Sequence, residues 1–65
     1  MRFTLKELRA RKNKSQSQVA NDLGISLQTY HAWERDISNI SVSKVLALAE
    51  YYGVTLDEIK FTNNP

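Results

Sequence analysis

The 65-residue sequence predicts an all-α domain built from five short helices, and three regularities carry that expectation. A hydroxyl residue stands three positions before an acid or amide at Thr4/Glu7, Ser15/Gln18 and Thr55/Glu58. This is the spacing of a capping box, in which each side chain satisfies the other residue's free backbone N–H at a helix start. Gly24 and Gly53 follow apolar-periodic segments, where a helix stops in the left-handed conformation that costs glycine little. Between these marks apolar residues recur at helical spacing, and no run demands a strand.

The elements follow in order. Helix one spans about residues 5–12, opened by Thr4, with Leu5 and Leu8 inward and Asn13 able to take the left-handed conformation that ends it. Helix two spans 16–23, opened by Ser15 and Gln18, with Val19, Ala20 and Leu23 on its inner face. Helix three spans 27–35 after a Ser26 cap, and Tyr30 and Trp33, three apart, share its buried side. Helices two and three thus form a pair joined by a glycine turn, and Ala20 leaves room for a steep crossing where a larger residue would splay them. Asp36 to Ile40 reads as a loop. Ser41 caps helix four, 42–52, whose Val42, Val45, Leu46, Leu48 and Ala49 are core at helical spacing. Thr55 and Glu58 open helix five, 56–61, contributing Leu56 and Ile59, and the tail 62–65 is expected to fray. The whole of 1–65 reads as one domain, without repeat, linker or low-complexity segment.

Composition bounds the function. A chain this short buries only about 60% of its unfolded surface, so it must pack efficiently or dimerise. With 42% hydrophobic residues, two glycines and one proline it favours a helical fold over disorder. No cysteine is present, which excludes disulfides and thiolate metal sites. No apolar run approaches the roughly 20 residues that span a bilayer, and no signal-peptide core precedes the domain, so a soluble, cytoplasmic protein is expected. Charge is uneven. Through Arg35 seven basic residues (Arg2, Lys6, Arg9, Arg11, Lys12, Lys14, Arg35) face three acidic ones (Glu7, Asp22, Glu34), a surplus of +4. From Asp36 onward Lys44 and Lys60 face Asp36, Glu50, Asp57 and Glu58, a balance of −2. The N-terminal half is the one suited to a polyanion, although a basic helix can equally be a solvated face.

Residues 15–35, SQSQVANDLGISLQTYHAWER, carry a further pattern in Gln16, Val19, Ala20, Leu23, Gly24, Ile25, Ser26, Thr29, Trp33 and Glu34. On these residues the chain resembles the helix-turn-helix of the phage repressor and Cro superfamily, the lambda-repressor-like domains. The resemblance extends to Leu5, Leu8 and Arg9 upstream and to SVSKVLALAEYYGVTLDEIKF downstream, nearly the whole chain. It implies a compact five-helix fold and double-stranded DNA as partner, with the second helix of the motif in the major groove. Three positions depart from the pattern. Lys14 stands where relatives are apolar, Tyr30 where they are aliphatic, and Asp36 where a glycine is common, an aspartate expected to take the left-handed turn.

With Tyr30 and Trp33 inward, the residues left for base edges are Leu27, Gln28 and His31, with Ala32 at one flank. A glutamine amide pairs bidentately with adenine N6 and N7, a leucine packs on a thymine methyl, and His31 reaches a base acceptor or a phosphate. Gln16, at a helix N-terminus with free N–H groups, suits a phosphate, as its counterparts in the family do, and also suits bracing position 28. Ser26 and Thr29 offer hydroxyls to the DNA backbone, Ser26 doubling as a cap, and Asn39 is a neutral phosphate donor in the loop. The resemblance further implies an internal ion pair between Arg9 and Glu34. It also implies a homodimer, at least on DNA, whose interface is formed by Leu56, Ile59 and Phe61, with Tyr51 beside them, where these are not core.

Catalysis is not expected. Asp57 and Glu58 are adjacent carboxylates, but helix neighbours diverge by about 100° and capping explains Glu58. His31 and Glu34 lack a third ligand for a metal, and no phosphate-cradling or nucleophile motif appears, so no cofactor is implied. The rival reading is a protein-interaction module on the same scaffold, such as an antitoxin. Accessible polar residues at 28 and 31 favour DNA, and an exposed apolar patch away from helix three favours a protein partner.

Overall fold

Hydroxyl side chains set where each helix begins. Thr4 and Glu7 exchange hydrogen bonds of 2.8 and 3.1 Å, and Ser15 and Gln18 exchange bonds of 2.7 and 3.1 Å. Ser26 and Ser41 accept the backbone N–H of Thr29 and Lys44. The resulting helices are α1 (Leu5–Lys12), α2 (Gln16–Leu23), α3 (Leu27–Arg35) and α4 (Val42–Tyr52), followed by a 3-10 turn (Leu56–Glu58). The computed structural model describes residues 1–61, and the expected frayed tail, 62–65, lies outside the described residues. Asn13 and Gly24 end α1 and α2 in the left-handed conformation, with φ of 57° and 71°.

Two expectations are corrected at the ends of elements. Asp36 is not left-handed: its φ is −158° and ψ 111°, and its carboxylate instead accepts hydrogen bonds from the Ser38 N–H at 2.9 Å and hydroxyl at 2.6 Å. The side chain makes the turn that glycine would make with its backbone. The fifth helix does not form beyond the 3-10 turn. Glu58 caps the Thr55 N–H at 2.8 Å, but the chain then extends and Ile59 forms a parallel bridge with Phe3. Phe3 N–H donates to the Glu58 carbonyl and Lys60 N–H to the Phe3 carbonyl, each at 2.7 Å. A helix this short gains few hydrogen bonds for its nucleation cost, whereas the N-terminal segment offers two short ones and lets β-branched Ile59 drop into the core.

The core is Leu5, Leu8, Val19, Ala20, Tyr30, Ile37, Val45, Leu48, Ala49 and Ile59. Ile37 comes from the loop after α3, a segment read from sequence only as a connection. Val42 and Leu46, expected inside, are 68% and 50% exposed. At about 100° per residue, Val45, Leu48 and Ala49 fill the inward arc of α4, and Val42 and Leu46 fall on its flank. Tyr30 is fully buried and its hydroxyl lies 2.6 Å from that of Tyr52. Burial raises the pKa of both phenols, Tyr52 to about 12, so the pair stays neutral.

Candidate nucleic-acid interface

The α2–α3 pair is joined by a turn in which the Ile25 N–H reaches back to the Ala20 carbonyl at 3.0 Å. Ala20 is 2% exposed, so a methyl group is all that stands at this corner. Inward, Tyr30 anchors α3 in the core, and Trp33 meets it edge-to-face with centroids 6.5 Å apart. The Lys44 ammonium sits 5.8 Å from the Trp33 ring centroid, tying α4 to the same anchor. Anchoring one side of α3 leaves the other in solvent: Leu27 is 43% exposed, and Gln28, His31 and Ala32 are exposed. The Gln28 side chain makes no hydrogen bond to any described residue.

Behind α3 a charged network fixes its position against α1 and α2. Arg9 Nε donates to Glu34 Oε2 at 2.6 Å, and Arg9 Nη1 donates to the Lys14 carbonyl at 3.0 Å. Gln16 Nε2 donates to Glu34 Oε1 at 2.9 Å, and His31 Nδ1 lies 3.4 Å from Gln16 Oε1. The Glu34 side chain is only 7% exposed. Burial pushes its carboxyl upward, but hydrogen bonds from Arg9, Gln16 and Tyr30, with the Arg9 charge, outweigh that and hold it below its ordinary 4.5.

The comparisons agree with this geometry. Residues 5–59 match the helix-turn-helix family. The chain belongs to that family, in its phage repressor/Cro form. Across 55 residues, 85% of this chain, it is 33% identical to the cryptic phage CTXphi transcriptional repressor RstR of Vibrio cholerae. The chain spans half the length of that relative. No solved structure matches it significantly.

The helix-turn-helix unit brings most of the residues singled out from sequence to one side. Leu27, Gln28 and His31 lie on the exposed face of α3, and Gln16 reaches the same neighbourhood through its bond with His31. Gln16 braces His31 and Glu34, not Gln28. Ser26 caps α3 and donates its hydroxyl to Thr29 Oγ1 at 2.8 Å, which commits Ser26 and leaves the Thr29 hydroxyl hydrogen as a donor. Asn39 is exposed in the loop after α3. Arg9 and Glu34 pair directly. Of the residues proposed for a dimer contact, Ile59 is 1% exposed and belongs to the core, whereas Leu56 and Phe61 are 39% and 37% exposed. Among the described residues no group of His, Asp and Glu is arranged to hold a metal, and no helix is long and apolar enough to cross a membrane.

One cluster of the helix-turn-helix unit was missed. Lys14, a departure from the apolar residue that the resemblance implies, bonds Asp22 Oδ2 at 2.6 Å, and the Tyr51 hydroxyl donates to the same oxygen at 2.6 Å. Lys12 also lies over the Tyr51 ring, 4.9 Å from its centroid. The polar group links α1, α2 and α4 where an apolar contact would otherwise stand. Its signal was Lys14 itself, a charge eight residues before Asp22, about two turns along α2.

A pH dependence follows from Glu34. Its folded-state pKa is depressed, so its contribution is fully present above the unfolded value of 4.5 and is lost as pH falls through the folded value. The melting temperature is expected to drop on acidification below about pH 4.5, and to drop less in Glu34→Gln. The capping carboxylates Glu7 and Glu58 shift the same way, so some acid sensitivity should survive in the variant. Equal acid sensitivity in the two proteins would remove Glu34 from this role.

Proposed function

We propose that this chain is a sequence-specific double-stranded DNA-binding transcriptional regulator of the Cro/repressor type, working in the cytoplasm of a bacterial or phage-infected cell. It binds a palindromic operator as a homodimer, with α3 of each subunit in the major groove and no cofactor. The observation that carries this reading is the exposed edge of α3, where Gln28 offers an unpartnered amide between Leu27 and His31 while the opposite side of the helix is clamped by Tyr30 and Glu34. A rigid backing with a free polar edge is what base reading requires. Gln16, Thr29 and Asn39 supply phosphate contacts that set register, with Ser26 spent largely on its cap. The surplus of basic residues before Asp36 suits a polyanionic partner, and the repressor relative supports the regulatory role.

Gln28→Ala is expected to lose discrimination at one or two base positions, about 1–3 kcal/mol, while nonspecific binding persists. Competition binding against single-base operator variants reads this directly, and an unchanged preference would remove Gln28 from recognition. In the same assay log K should fall with log salt by about 0.9 per phosphate neutralised, and salt-independent binding would contradict the mechanism. Two subunits double a modest set of contacts and read half-sites about one helical turn apart. A strictly monomeric protein, free and on an operator, would refute the dimer.

A second reading has its own observation. Val42 and Leu46, one turn apart on α4, are exposed apolar residues outside α3, the feature that favours a protein partner such as a toxin. Retained operator binding after Val42→Ser and Leu46→Ser would separate that surface from the DNA-facing one.

A further inference from the structure

Gln16 is held from behind in a way that decides how it faces His31. Its amide contacts Glu34 Oε1 at 2.9 Å, and an ionised carboxylate paired with Arg9 offers only lone pairs, so the atom at this contact is the NH2 group. The amide oxygen is thereby turned to the imidazole, 3.4 Å from Nδ1. That oxygen has no hydrogen to give. The hydrogen in the contact therefore belongs to the ring.

We infer that Gln16 fixes the neutral His31 ring as the Nδ1–H tautomer, which leaves Nε2 as a lone-pair acceptor on the exposed face of α3 and makes His31 a specificity-determining residue for a base that presents an exocyclic amino group in the major groove. The inference rests on the proposed seating of α3 in a major groove. There adenine N6 and cytosine N4 are donors, whereas guanine N7 and O6 and thymine O4 are acceptors. Phosphate oxygens are acceptors too. An Nε2 lone pair is matched by the first two groups and opposed by all the others, so neutral His31 selects a base and not the DNA backbone. Gln16 is then a positioning residue for this contact, set in turn by Glu34 and Arg9. The sequence alone left His31 between a base acceptor and a phosphate, and the bond to Gln16 replaces both with a base donor.

The test has two arms. Long-range 1H–15N NMR of the free protein, recorded where the ring's own spectrum is that of neutral imidazole, is expected to show hydrogen on Nδ1, and Gln16→Ala is expected to shift the population toward Nε2–H. Binding-site selection from random duplexes is then compared between the wild-type protein and His31→Ala. The variant should lose about three- to tenfold of a preference for adenine or cytosine at one position, a loss larger than any change for duplexes with the other bases there. Hydrogen on Nε2 in the wild type, an unaltered tautomer in Gln16→Ala, or a selected site that His31→Ala leaves intact would each overturn the inference while leaving the regulator reading in place. Uniform weakening of all sequences would do the same by assigning His31 to a phosphate. A wild-type protein that enriches no duplex overturns the regulator reading and the base assignment together, whichever tautomer the spectrum records.

Discussion

Tyr30→Ala should lose about 3–5 kcal/mol of stability, the usual cost of truncating a buried aromatic side chain. For a chain of this length the total is about 3–10 kcal/mol at the usual 0.05–0.15 per residue, so the variant should be largely unfolded at room temperature or melt far below the parent. The size of the loss follows from position. Tyr30 has no exposed surface, packs among Val19, Ala20 and the α4 residues of the core, and sets the height at which Trp33 and the rest of α3 sit. Tyr30→Phe separates packing from the hydroxyl: it keeps the ring and removes the 2.6 Å contact with Tyr52 and the hydroxyl's bond to Glu34, so a loss of about 1–2 kcal/mol is expected. Urea denaturation of the two variants beside the parent measures both. If Tyr30→Ala cost no more than Tyr30→Phe, the ring would not be the anchor of α3.

Glu34→Ala is expected to have the next largest effect, about 2–3 kcal/mol, because it takes the shared acceptor from Arg9, Gln16 and Tyr30. Arg9 Nε and Gln16 Nε2 both lose Glu34, and the Arg9 side chain is only 19% exposed. Replacing one member of a buried charge pair costs more than the pair is worth, since the remaining charge stays desolvated. Arg9→Ala should therefore destabilise as well, and the double variant should lose less than the sum, with a coupling of about 1–2 kcal/mol. Additive losses in the cycle would mean that the pair does not act as a unit. The same substitution reaches function through Gln16, whose amide is then free to rotate, so the altered stability and the altered setting of His31 have one origin.

The four α-helices were readable from residues with strong local chemistry. Capping pairs and left-handed stops act over three or four residues, and Ser15, Gln18, Gly24 and Gly53 therefore announce themselves in sequence. The end of the chain was not readable in the same way. Whether residues 59–61 continue a helix depends on Phe3, more than fifty positions away, whose backbone competes for the same hydrogen bonds. Asp36 misled for a related reason: its side chain could serve a left-handed backbone or bond Ser38, and the loop geometry that buries Ile37 selects the second. On α4 the apolar pattern was wider than the available core, so Val42 and Leu46 looked interior until the packing partners were known.

The candidate site divides along the same line. Positions on α3 follow from helical spacing once Tyr30 is known to face inward, and Gln28 and His31 are found where spacing puts them. What spacing does not give is the set of contacts among side chains from different helices. Gln16 stands 15 residues from His31 and 18 from Glu34, and its role as a bridge between them appears only when α1, α2 and α3 are assembled. The Lys14, Asp22 and Tyr51 cluster is of the same kind.

The central claim is that the exposed edge of α3 enters a major groove, and intermolecular NOEs between the protein and a selected duplex test it most directly. The account predicts contacts from the Leu27 methyl groups and the Gln28 side-chain amide to thymine methyl and cytosine H5 protons, which line the major groove. NOEs confined to sugar protons, or contacts gathered around Val42 and Leu46 with none from α3, would contradict it.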